Sequence, residues 1–219
     1  GVESVVWISE RKNTLSAFFY AASFLTFIRM PLWLSADGDW RNKRNQLFYG
    51  FSLLFFIAAL ASKTVTCSLP AMLLLVAWWR FAAVDFKTRQ KMLLLCLLPY
   101  FALGLFAGLR TSFLEQTHVG ALGAEWSLGF IERCLLAGKA LWFYAGKILW
   151  PEHLNFVYPR WHLNAAEPGQ YLYGFGVLGL LFLLWGWRTR FGRGAFVLVA
   201  GYCGTLLPAL GFFNLYPQR

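Results

Sequence analysis

Long stretches of this chain carry no Asp, Glu, Lys or Arg, and short basic clusters separate them. The uncharged runs are 13–28, continuing past Arg29 to Leu34, then 46–62, 64–79 beyond the isolated Lys63, 92–109, 171–187 and 195–218. A helix needs about 20 residues to cross the hydrocarbon of a bilayer, with about 17 as a working minimum. The runs therefore predict an all-α, polytopic membrane helix bundle of about six crossings, the 64–79 helix being the shortest. Lys63 with Pro70 soon after reads as the corner of a tight helical hairpin, since a lysine there reaches the interface and proline is tolerated in a first helical turn. A single long kinked helix is the alternative.

Sorting the connections by charge gives an orientation. The loops 35–45, 80–91 and 188–194 hold Arg41, Lys43, Arg44, Arg80, Lys87, Arg89, Lys91, Arg188, Arg190 and Arg193. Short loops rich in Lys and Arg stay in the cytoplasm. The helix parities then agree, placing residues 1–12, Lys63, the stretch 110–170 and the C-terminal end together on the outer side. All seven glutamates fall outside and all three aspartates inside. Within 110–170 lies one further helix: at about 100° per residue, Glu132, Arg133, Lys139 and Lys147 share an arc of about 120°. Ile131, Leu135, Leu141, Trp142, Ile148, Leu149 and Trp150 mostly fill the rest. This predicts an extracytoplasmic, interfacial amphipathic helix that Pro151 ends, with Trp150, Tyr158, Trp161 and Tyr171 as an aromatic belt.

Composition sharpens the class. Of 219 residues 58% are apolar, 19% aromatic and 14% charged, with a mean hydropathy of +0.52, unlike an average soluble domain. The net charge of +10 sits between the apolar runs, which is the membrane pattern and not a nucleic-acid footprint. Cys67, Cys96, Cys134 and Cys203 contain no C-x-x-C pair and read as small buried hydrophobes, neither zinc ligands nor a disulfide framework. His118, His153 and His162 lack metal-ligand spacing, and neither a phosphate-binding loop nor a nucleophile elbow is present. No metal, no cofactor, no ATP-driven step and no serine hydrolase are expected. One membrane domain over 1–219 suffices. Its beginning and end, Gly1 and Arg219, read as cuts within a longer protein.

Three clusters carry candidate chemistry. Glu3 and Glu10 are seven residues apart, close to two helical turns, and precede Arg11 and Lys12; a glutamate suits a sugar hydroxyl and Arg11 or Lys12 a phosphate, while on spacing alone the cluster reads first as an interfacial anchor. Lys63, beside Thr64, Thr66 and Ser68, suits a lipid phosphate or pyrophosphate at the outer interface, or a snorkelling lysine. Lys139 and Lys147 on the amphipathic helix, with Arg110 and Arg160 in the flanking loops, suit anionic lipid generally or a substrate.

The run 2–16 resembles a segment of bacterial membrane proteins that carry tetratricopeptide repeats, which are similar to the transmembrane and tetratricopeptide-repeat O-mannosyltransferases. The resemblance continues through Ser62-Lys63 with Leu69-Pro70, through the segment 147–151 with Tyr158-Pro159, and through 208–217 with Arg219. It implies a GT-C glycosyltransferase: a multi-helix membrane enzyme of a bacterial inner membrane that takes a sugar, often mannose, from a polyprenyl-phosphate donor to a protein or envelope acceptor on the extracytoplasmic side. A general base on the acceptor and cations on the departing lipid phosphate are the chemistry such transfer needs. The resemblance implies supporting catalytic roles for Glu3 and Glu10, and phosphate- or substrate-binding roles for Arg11, Lys63, Lys147, Asn214 and Arg219. The family's main acidic motif is expected upstream of Gly1 and its repeats downstream of Arg219, so this stretch alone is expected to be inactive. Asn13 stands where relatives often have Asp, and Thr64 where they often have Pro. Two other classes fit the same pattern: a polyprenyl-lipid transporter or flippase, given Pro70, Pro99 and Pro208 in membrane runs, and a non-catalytic anchor for a repeat domain.

Overall fold

The computed structural model describes residues 11–30, 32, 40–80, 86–118, 129–152, 161, 163–190 and 192–210, and all regular structure among them is helical. The helices are α1 (Arg11–Ile28), α2 (Lys43–Ser62), α3 (Leu69–Arg80), α4 (Phe86–His118), α5 (Phe130–Leu149), α6 (Pro168–Gly186) and α7 (Gly194–Leu206). Each uncharged run of the sequence falls on one of them. Three stretches, Lys43–Ser62, Gln90–Thr111 and Pro168–Thr189, are long and apolar enough to cross a membrane, while Thr64–Arg80 and Gly194–Leu206 are apolar but shorter. Of the about six crossings expected, three helices among the described residues meet the requirement of length and apolarity. For two of the remaining runs an uncharged stretch also counts residues outside the α-helix, while the 13–28 run is filled by the 18-residue α1, which opens on Arg11 and Lys12. The 195–218 run contains a 13-residue α-helix, and the 64–79 run spends its first five residues in a 3₁₀ turn, Thr64–Ser68.

Residues 1–111 and 112–219 form two compact units. In the first, α1 and α2 run antiparallel, tied at three levels. Lys63 Nζ meets Asn13 Oδ1 at one end, Ser23 and Ser52 meet in the middle, and the Leu32 amide donates to Asn45 Oδ1 over 2.9 Å at the other. The middle contact is reciprocal: each serine hydroxyl donates to the other's carbonyl at 2.7 Å. Small hydroxyl residues of this kind let helix backbones approach closely where the surroundings offer no water.

Tyr100 of α4 fills the centre of this unit. Its ring stacks on Phe56 with centroids 5.1 Å apart and meets Phe27 edge-on at 5.8 Å, and its hydroxyl donates to Ser52 Oγ over 2.7 Å. Leu69 and Leu73 of α3 and Leu97 of α4 complete the buried cluster. One face of α4 continues toward its C-terminus: a Cβ at Gly104 would sit 3.3 Å from the Cys67 carbonyl oxygen, so α4 lies directly against the 3₁₀ turn. The opposite face carries Leu95, Leu98, Leu105, Phe106 and Leu109, each 61–67% exposed. Buried polar contacts inside and bare apolar side chains outside are what a lipid environment permits and water penalises.

In the second unit the amphipathic segment is α5. The Gly129 amide donates to Glu132 Oε2 over 2.8 Å at the start, and Pro151 follows the last turn, where the Trp150 amide still reaches Gly146 O at 2.8 Å. Its buried stripe is Leu135, Ala137, Gly138, Ala140 and Leu141. Ile131, Trp142, Ile148, Leu149 and Trp150, counted with the apolar face in the sequence, are exposed. Small residues win the buried face because α6 comes too close for large ones: a Cβ at Gly138 would stand 2.8 Å from Gly174 N. Trp142 Nε1 donates to Tyr173 O over 3.0 Å, and Tyr202 of α7 donates to Leu141 O over 2.7 Å.

Candidate functional site

The sequence singled out Lys63 as an isolated cation between two apolar runs, and the fold explains its isolation. Its own amide closes α2 by donating to Ala59 O at 2.9 Å, and its backbone is extended, with φ −158° and ψ 124°. The chain then tightens into the 3₁₀ turn because Thr66 holds the Lys63 carbonyl twice, through its amide at 3.2 Å and its hydroxyl at 2.7 Å. Such local hydroxyl-to-carbonyl bonds offer the backbone an alternative to continuing the α-helix. Lys63 is thereby held at a corner, and its side chain reaches back across the α1 start to Asn13 Oδ1 at 2.7 Å.

Two further elements converge on this corner. Arg11 and Lys12 open α1 and are exposed, one turn or less from the Asn13 that receives Lys63. Thr111, on the continuing face of α4, shares a 2.9 Å hydroxyl contact with Thr64, the residue after Lys63. Arg110 precedes that contact and is exposed on α4. The sequence reading placed Arg110 in a loop beside Lys139 and Lys147; the structure instead makes it part of a helix that runs on to His118. A charge ends an apolar run but not a helix, and Arg, Leu, Glu and Gln are all good helix formers. Nearby, the Tyr20 hydroxyl lies beside Ser68 but outside hydrogen-bonding geometry. It is the buried side-chain polar atom among the described residues left without a partner.

Lys147 belongs to the second unit. It donates to the Glu152 carbonyl and lies 5.7 Å from the Phe143 ring centroid, tying the end of α5 to the segment after Pro151. Lys139, two turns earlier, sits 5.0 Å over Trp161, whose ring meets Phe143 edge-on at 5.3 Å. Glu3, Glu10, Asn214 and Arg219 lie outside the described residues, as does Arg160. The structure thus brings together the Arg11 and Lys63 regions of the predicted site. Asn13 and Thr111 are the two participants the sequence did not assign a role, being 50 and 47 residues from their partners.

Chemically, the corner offers positive charge and hydroxyls and suits an anion. Among the described residues no cluster of His, Cys, Asp and Glu could hold a metal ion. Comparison with known protein families, with curated proteins and with solved structures finds no match to this chain.

Proposed function

We propose that this chain is the membrane core of a GT-C-like glycosyltransferase, and that the corner formed by Lys63, Asn13 and the start of α1 holds the phosphate of a polyprenyl-phosphate sugar, mannose being the first sugar to try. The donor's apolar tail lies in the bilayer and its phosphate at the outer interface. The acceptor is a protein or another envelope molecule. The observation that carries the reading is the half-buried Lys63, bound at 2.7 Å to an uncharged oxygen at the start of α1 and at the end of α2 remote from Lys43 and Arg44. The positive-inside rule assigns Lys43 and Arg44 to the cytoplasm, which puts Lys63 on the side where lipid-linked sugars serve as donors. Nucleotide sugars are too highly charged to cross the bilayer unaided. A cation at that interface stabilises the phosphate as the sugar leaves, while a carboxylate such as Glu3 or Glu10 takes the acceptor proton.

The test is sugar transfer by the full-length protein in proteoliposomes, with polyprenyl-phosphate mannose as donor. Lys63→Ala and Arg11→Ala are expected to raise the donor KM about tenfold, the scale of a lost hydrogen bond to a charged group, with the acceptor KM unchanged. Unchanged donor KM in both variants overturns the phosphate role, and absence of any transfer by the parent protein overturns the enzyme reading.

A further inference from the structure

The partner of Lys63 is as informative as Lys63 itself. An ammonium has three N–H donors, and among the described residues Lys63 spends one of them on the Asn13 amide oxygen, 2.7 Å away, with no carboxylate taking the others. Asn13 is itself fixed by its helix: it sits in the first turn of α1, and its backbone carbonyl accepts from the Ser16 hydroxyl over 2.9 Å. An aspartate at this position would reach Lys63 with the same geometry and would pair its charge within the protein. The amide orients the ammonium and leaves its charge intact.

The geometry points to Asn13 as a positioning residue that aims Lys63 without pairing its charge, so that the corner selects a lipid-borne phosphate by charge. This rests on the phosphate reading of the same corner. A half-buried cation that among the described residues meets only a neutral oxygen has given up hydration without a carboxylate in return, and an anionic headgroup supplies what is missing. Were Asn13 instead a structural tie between α1 and the turn, an aspartate would serve as well or better, since a charge-assisted bond is stronger than a neutral one. The two roles therefore predict opposite rankings of the same variants.

The experiment measures binding of a short-chain polyprenyl phosphate to the full-length protein in phosphatidylcholine nanodiscs, followed by tryptophan fluorescence. Thermal unfolding of every variant is recorded alongside. Asn13→Asp is expected to weaken binding about tenfold while leaving the unfolding temperature equal or higher; Asn13→Ala, which frees Lys63 but leaves it charged, is expected to cost about threefold. Lys63→Gln, which keeps a donor for Asn13 without the charge, is expected to match Asn13→Asp and stands in for it if that variant does not fold. Excess inorganic phosphate is expected to displace the lipid weakly, and displacement at equal concentrations overturns selection of a lipid-borne group. If Asn13→Asp binds like the parent, or Asn13→Ala is the weaker of the two, the role of Asn13 falls while the phosphate reading of Lys63 stands. If Lys63→Gln binds like the parent, both fall.

Discussion

The two units solve the same problem by different means. Both are built of apolar helices with large side chains turned outward, so neither can rely on burying those side chains for its cohesion. In the first unit the helices are joined through a central aromatic ring and hydroxyls: Tyr100 packs on Phe27 and Phe56 and bonds to Ser52, which exchanges hydrogen bonds with Ser23. In the second, α6 has no buried residue at all, and its join to α5 is a backbone-to-backbone approach at Gly138 and Gly174. The contrast teaches that hydropathy identifies the helices and is silent on how they adhere. Where apolar surroundings remove the usual drive to bury, close packing and internal hydrogen bonds decide.

The largest effect should come from emptying the ring-based join. Tyr100→Ala removes a fully buried ring from between three helices, and a loss of about 3–5 kcal/mol in unfolding free energy is expected, as for other buried aromatics. Unfolding in mixed micelles, read by circular dichroism, checks it; a loss below about 1 kcal/mol would mean the ring is not the keystone of this unit.

Next in size, and specific to the other join, is Gly138→Ala. Its new methyl would stand 2.8 Å from Gly174 N and 2.9 Å from Gly174 Cα, and because both are backbone atoms the helices must separate. A cost of about 1–3 kcal/mol is expected. Gly174→Ala should be nearly neutral, because a Cβ there meets nothing within 4 Å. Equal costs for the two alanines would break the account of a one-sided approach.

How much of this was legible beforehand follows from range. The uncharged runs mark six of the helices, and the shared arc of Glu132, Arg133, Lys139 and Lys147, about 120° wide, marks α5, because helical periodicity is local. The turn at Lys63 was legible as well, from one charge and one proline. The length of α4 was not, since Arg110 and Glu115 looked like loop residues and the helix runs through them. Nor was the buried face of α5, where Ala137, Gly138 and Ala140 displace the larger apolar residues; the reason is Gly174, 36 positions away. At the candidate site the cations were visible as exceptions in apolar runs. Asn13 was visible only as a departure from the Asp often found in relatives, and nothing local announces its contact with Lys63, 50 residues away.

The smallest effect separates hydroxyls within the first unit. Ser52→Ala deletes the acceptor of Tyr100 and the donor to Ser23 O together, whereas Tyr100→Phe deletes one donor and leaves the Ser52-to-Ser23 bond in place. Interhelical hydrogen bonds in membranes average about 0.6 kcal/mol and reach about 1.7. Ser52→Ala is therefore expected near the upper figure and Tyr100→Phe near the lower, with the double variant costing no more than Ser52→Ala alone. That last equality is the discriminating one: once the serine oxygen is gone, the tyrosine hydroxyl has lost its acceptor, and removing it relieves an unpaired group instead of breaking a bond. A double variant that costs the sum of the two singles would show that Tyr100 and Ser52 contribute independently, and the bond between their hydroxyls would then not be what joins the ring to the serine pair.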